Sequence, residues 1–243
     1  MEVGSKVIFL FRDAEGFGSS ITDALIPNPN SSPLKRTETQ FELPLEKYGI
    51  KGCNASGDIV HFVDHQGSYQ VSVLLMQSYD PPVVACAINE VLASITGEDR
   101  STKPTIVLPF FASESKLSND MFNISSSNKK IALYGTHLGP ETEFTQAIIG
   151  GTKKPLSSLQ IQFEPLACLI HFICVLNLPT VLLIGPRREH PTRRSTDEQL
   201  EVLHEMGKFL ASHVGLDFSK EKVQFKPMKK TKESEEPWRA LYG

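Results

Sequence analysis

Between Leu166 and Ile184 the chain sets an apolar helical segment, a proline stop and a β-rich run in immediate succession. Leu166, Leu169, Ile170, Ile173 and Cys174 recur at helical spacing, and Pro165 sits near the first position, where its missing N–H costs nothing. The helix surface they make is almost wholly apolar, which predicts packing on both sides, between a sheet and another helix. Leu178-Pro179 ends it, and Thr180-Val-Leu-Leu-Ile184 follows as a short, branched, uninterrupted run suited to a central strand buried on both faces. Such a strand needs a layer above and a layer below it. The fold class predicted is therefore α/β, a layered sheet with helices on both faces.

The rest of the chain repeats the alternation. Lys6-Val-Ile-Phe-Leu-Phe11 reads as a buried first strand, followed by the loop Asp13 to Gly18 and a short helix from Ser19 or Ser20 to about Leu25. Pro27 to Pro33 is a loop. Asp58 to Val63 and Tyr69 to Met76 form a hairpin around Asp64-His65-Gln66-Gly67. Asp80-Pro81-Pro82 opens a helix to about Thr96, with Val83, Ala87, Val91 and Ile95 on one face and Gly97 as its stop. Thr105 to Phe111 is another buried strand, and Lys130 to Tyr134 a further one after a Ser/Asn-rich excursion from Ser113 to Asn128. A last helix starts at Ser195-Thr-Asp-Glu198, which matches a capping box, carries Leu200, Leu203, Leu210 and Val214, and stops at Gly215.

Beyond Phe218 the composition turns to lysine, glutamate and serine with little to bury. The organisation predicted is one domain over residues 1–218 and a disordered, charged tail over 219–243. As a coil, that tail would span roughly 25 to 30 Å. It carries the chain's single tryptophan, Trp238, and ends in Leu241-Tyr242-Gly243. An apolar residue, a tyrosine and a terminal carboxylate make a docking peptide: a basic group or backbone amides capture the carboxylate while the side chains fill an apolar slot. Trp238 is an added anchor.

Composition narrows the function classes. The 25 basic and 28 acidic residues give a net charge of −3, not the global basic footprint of a nucleic-acid binder. The apolar run after Met1-Glu-Val-Gly-Ser-Lys6 is too short for a signal peptide, and Leu166 to Leu178 is too short to cross a bilayer. The expectation is a cytoplasmic protein, also able to work in the nucleus, with no membrane partner. Cys53, Cys86, Cys168 and Cys174 form no Cys-x-x-Cys pair and read as reduced structural thiols, and the sequons at Asn30, Asn54 and Asn123 carry no weight in that compartment.

Catalytic chemistry finds little support. Gly16-x-Gly18 after the first strand could open a nucleotide loop, but it lacks the third glycine of a dinucleotide fingerprint and the Gly-Lys-Ser/Thr of a phosphate loop. It reads as a tight strand-to-helix turn. Gly150-Gly-Thr-Lys-Lys154 reads as a loop, and Cys53, His61 and His65 have no second close pair to complete a zinc site. His171, on the apolar helix, reads as a hydrogen-bonded core histidine. No catalytic residue, metal or cofactor is expected. Arg187, Arg188, Arg193 and Arg194 follow the central strand at its C-terminal edge, where they could contact an anion or an acidic face of a partner.

The segment Ile161 to Ile184, together with the last helix and the tail ending Leu241-Tyr242-Gly243, resembles the C-terminal part of the proteasome assembly chaperone 1 family. The resemblance runs from about residue 68 to the end. The opening, Val7 to Gly18, resembles an uncharacterised family of plant proteins. The first resemblance implies a non-enzymatic chaperone for 20S proteasome α-ring assembly, paired as a heterodimer with a second, related assembly chaperone. It also implies that the terminal tripeptide enters a pocket between α-subunits, with a pocket lysine meeting the carboxylate of Gly243. The rival readings are a small-molecule or nucleotide-binding α/β enzyme using the Gly16 to Gly18 turn and the arginines, and a regulator of the mature proteasome.

Overall fold

The computed structural model describes residues 1–30, 34–97, 103–117, 131–156, 159–187 and 193–224, with the backbone alone at 193–196. Its centre is β1 (Lys6–Phe11), whose side chains are apolar in both directions. Val7, Phe9 and Phe11 enter one core layer, Ile8 and Leu10 the other. β1 pairs in parallel with β5 (Tyr69–Met76) on one side and β6 (Thr105–Ser113) on the other. β8 (Thr180–Arg187) extends the parallel set beyond β6.

Antiparallel strands flank this set. β4 (Asn54–Val63) pairs with β5 and β3 (Lys35–Pro44) with β4, while β7 (Tyr134–Leu138) closes the far edge against β8. The result is a seven-stranded mixed sheet in the order β3-β4-β5-β1-β6-β8-β7. Two short strands, β2 (Leu25–Pro27) and β9 (Leu216–Phe218), pair separately.

Helices cover both faces, as the sequence predicts. α2 (Val83–Thr96) and α4 (Glu164–Leu176) pack on the side of Phe9 through Ile88, Leu92, Leu169 and Ile173. α1 (Phe17–Ala24), α3 (Glu143–Gly150) and α5 (Arg193–Val214) pack on the side of Leu10 through Ile21, Ile148, Leu203 and Leu210. The hairpin between β4 and β5 forms where expected. The Asp64 carboxylate accepts from the backbone N–H groups of Gln66 (2.8 Å) and Ser68 (2.9 Å), and these bonds, that of Ser68 foremost, hold its pKa below the usual carboxylate range.

Several expectations are corrected. α1 begins at Phe17, before Ser19, because Asp13 caps the preceding turn. β3 lies in a stretch with no expected element; its first six residues, Lys35 to Gln40, are all polar, so this edge strand carries little apolar signature. The strand expected at 130–134 is β7, displaced to Tyr134–Leu138, and α3 follows it unannounced, capped by Thr142 paired with Thr145 where a capping box ordinarily has Glu or Gln. α5 begins at Arg193, so Ser195 lies inside its first turn and is not the cap. α4 packs on the sheet and against α2 but is not covered all round, as His171, Cys174 and Val175 are exposed. His171 is thus not a core histidine. The excursion falls partly on 118–130, outside the described residues.

Ile88 is fully buried between α2 and the sheet. Ile88→Ala is expected to lower unfolding stability by about 2–5 kcal/mol, measured as a shift of the urea midpoint at unchanged slope.

Candidate functional site

The C-terminal ends of β1, β5, β6 and β8 define one edge of the sheet, the place where open α/β folds present ligand-binding loops. Arg187, the last residue of β8, reaches across to the loop after β1. Its guanidinium forks onto Glu15, Nη1 to Oε2 at 2.9 Å and Nη2 to Oε1 at 2.6 Å. Nearby, Arg12 pairs with Asp58, which also accepts from Gln40 Nε2 at 3.1 Å. Each of these two described cations is thus engaged by a carboxylate of the same chain. Arg188 lies outside the described residues, and the side chains of Arg193 and Arg194 are not described.

The Gly16 to Gly18 turn is a packing device in this geometry. Gly16 has φ of 75°, a left-handed conformation natural to glycine, and Gly18 packs so closely on β1 that a Cβ there would lie 2.2 Å from the carbonyl oxygen of Phe11. The Asp13 carboxylate accepts from the backbone N–H groups of Phe17 (3.1 Å) and Gly18 (2.9 Å). A carboxylate therefore stands where a phosphate loop would place its anion, and it repels one. The turn gives the nucleotide reading no structural support.

The last described residues of the chain lie at the same edge. Ser219 N donates to Ala24 O at 2.8 Å, Val223 packs against the α5 layer, and the carbonyl oxygen of Gln224 lies 3.7 Å from the Cβ position of Gly16. The root of the tail and the Arg187–Glu15 pair thus flank the same loop, a neighbourhood not legible in the sequence because residues about 35 and 205 positions apart meet only through β2, β9 and the sheet order. Trp238, Leu241, Tyr242 and Gly243 lie outside the described residues.

A shallow cavity of about 220 Å³ opens elsewhere, between β7, β8 and residues 154–161. Its lining is Thr136, Leu182, Leu159, Ile161, Pro155, Leu156 and Lys154, mostly apolar, with one ammonium and one hydroxyl. Among the described residues no cluster of three or more His, Cys, Asp or Glu side chains could hold a metal. His61 is buried, bonded through Nδ1 to Ser72 Oγ at 2.9 Å and stacked on Tyr69, so it is a core histidine, apart from His65 in its exposed turn. The described cysteines are all free thiols, Cys174 exposed and the others half-buried; burial pushes the Cys168 thiol up. Among the described residues no helix is long and apolar enough to cross a membrane.

With the fold and this edge in view, the comparisons decide the family. The model of the domain of unknown function DUF7894 matches residues 1–243. The chain belongs to that family. No curated protein matches it. Among solved structures the chain is similar to a Mycobacterium tuberculosis protein of unknown function, Rv2714, at 10% identity and a TM-score of 0.54, over 89% of this chain and 72% of that one. It is also similar to Pyrococcus furiosus PbaB, an archaeal proteasome activator, at 8% identity and a TM-score of 0.51, over 99% of this chain and 95% of that one. At such identities the likeness shows a shared fold for this DUF7894 chain.

Buried His61 and half-buried His204 contribute to the domain's response to acid. Burial lowers the pKa of His61, and burial together with Lys220 and Lys208 lowers that of His204, whose Nε2 is buried and unbonded beside Phe218. The unfolded chain therefore binds protons that the folded chain refuses. The contribution of these groups is complete above the ordinary histidine value of about 6.5 and falls as pH drops from there through the lower folded-state values. The urea midpoint is expected to fall between pH 7.5 and pH 5.5, and to fall less in His204→Gln. Gly18→Ala is expected to cost about 1–3 kcal/mol in the same assay, through overpacking against β1.

Proposed function

We propose that this chain is a non-enzymatic chaperone of 20S proteasome α-ring assembly, tethered by its C-terminal Leu241-Tyr242-Gly243. The observation that carries the reading is the conjunction of a PbaB-like fold over 99% of the chain with a hydrophobic-Tyr-X tripeptide on a charged tail. Gly243 offers its carboxylate to a basic pocket residue, Tyr242 packs on the pocket wall, and Leu241 and Trp238 add apolar contact. The described chain ends at Gln224, beside the loop after β1, and in this reading the domain rests against the ring while the peptide enters a gap beside it. A weak peptide contact joined to a weak domain contact gains about 10² to 10⁴ in avidity, and loosening either one releases the protein.

The partners in this reading are the proteasome α-subunits and a second, related assembly chaperone, met in the cytoplasm or nucleus, with no cofactor. Arg188, Arg193 and Arg194, which follow β8 in the sequence, are candidates for an acidic partner face, while Arg187 braces Glu15. A second reading, regulation of the mature proteasome, is favoured by the activator role in the name of PbaB.

Co-purification with a tagged full-length chain tests the reading. The intact protein is expected to recover α-subunits and a second α/β chain, and removal of Leu241 to Gly243 to cut α-subunit recovery at least about tenfold, in line with lost avidity. Undiminished recovery sinks the tail mechanism, and absence of proteasome subunits from both samples sinks the function. Recovery of complete 20S particles in place of immature rings favours the regulator. Arg187→Ala, which unpairs Glu15, is expected to cost only about 1 kcal/mol of stability in urea unfolding, the pair being partly solvated.

A further inference from the structure

The cavity beside β7 has an apolar lining and one cation. Leu182, from the core layer of Phe9, is the most deeply buried of its lining residues, and Leu156, Leu159 and Ile161 are half-buried around it. Lys154 is exposed and Thr136 adds a hydroxyl. No lining residue is acidic, and among the described residues no carboxylate pairs with Lys154. At about 220 Å³ the space lies below the roughly 300 to 1,000 Å³ of small-molecule sites, so it suits one large side chain better than a cofactor. Apolar walls beside an ammonium call for an apolar or aromatic group followed closely by a carboxylate.

The chain carries such a group itself. Leu241-Tyr242-Gly243 sets an apolar side chain, an amphipathic ring and a carboxylate within three residues. The Tyr242 ring matches the apolar space, its hydroxyl that of Thr136, and the Gly243 carboxylate the Lys154 ammonium. Length permits the match. The described chain ends at Gln224 beside the loop after β1, and β7 lies three strands away across β6 and β8, about 15 Å. Residues 225–243 as a flexible coil span roughly 22 to 26 Å on average and reach on the order of 60 Å when extended. The cavity opens on the layer of α2 and α4, and Val223 packs on the layer of α5, so the path runs round the ends of the strands. This length covers it.

We propose that the cavity lined by Leu182, Ile161 and Lys154 captures the chain's own Leu241-Tyr242-Gly243, with Lys154 on the terminal carboxylate. Tethering makes the contact intramolecular, at an effective concentration on the order of millimolar, which fills even a weak peptide site. The docking peptide is thereby held on its own domain, and any outside pocket has to compete for it. This capture does not rest on the proteasome reading, because it takes place in the isolated chain with no other protein present.

Fluorescence anisotropy of a labelled peptide, residues 236–243 with a free carboxylate, tests it. The titrant is the chain lacking only Leu241 to Gly243, in which the cavity has lost its tethered occupant. Saturable binding is expected, weakened at least about tenfold when the intact chain is titrated instead, since its own tail competes. Lys154→Glu in the shortened chain and a C-terminal amide on the peptide are each expected to weaken binding at least about tenfold. Lys154→Glu is expected to leave the urea midpoint unchanged, the side chain being exposed. Failure of the peptide to bind the shortened chain overturns the proposal, as does equal binding by the intact chain. Binding indifferent to Lys154→Glu or to the amide places the peptide elsewhere and overturns it too. So does an intact chain that sediments as a dimer only while it keeps Leu241 to Gly243, because the tail is then captured by a second copy.

Discussion

Everything in this domain hangs on a strand with no polar face. β1 sends Val7, Phe9 and Phe11 to one side and Ile8 and Leu10 to the other, all nearly inaccessible to water. It has parallel neighbours on both edges. A strand so placed obliges the chain to supply a helical layer above and another below, and the crossovers that deliver parallel strands are those helices. α2 and α4 are the crossovers on one side. The other layer is assembled from α1, α3 and the long C-terminal α5, and the β2–β9 pair ties the end of α5 back to the end of α1.

That last tie gives the domain its functional polarity. Because Ser219 bonds to Ala24 and Val223 packs on the core, the C-terminal segment is led to the loop after β1, at the edge where the parallel strands end. Charged groups at this edge are spent on the fold itself. Arg187 braces Glu15, Arg12 braces Asp58, and Asp13 caps α1.

Where burial is strong on both faces, the sequence was easy to read. β1, the β4–β5 hairpin, α2 and β8 were all legible, because apolar periodicity and turn residues agree there. β3 was not, since an edge strand with one neighbour presents Lys35, Glu38 and Glu42 to water and buries only Phe41. α3 was hidden by a threonine pair in place of the usual cap. α4 was read in part: uniform apolarity suggested packing on both sides, between a sheet and another helix, and α4 does rest on the sheet and α2, but His171 and Val175 are left in solvent. Of the candidate site, Leu241-Tyr242-Gly243 is proposed from residue types alone and lies outside the described residues, and the closeness of Gln224 to the loop that carries Glu15 arises from tertiary pairing that no local pattern encodes.

The proposed docking requires that the proteasome ring read a terminal carboxylate. Its most direct test is the affinity of the purified chain for isolated α-rings, measured by surface plasmon resonance, against a chain carrying one extra alanine after Gly243. That insertion keeps every side chain and moves only the carboxylate. Binding weakened by at least about tenfold, the order expected for losing a charge-assisted contact in a bivalent attachment, is the predicted result. Equal affinity for the two chains contradicts it.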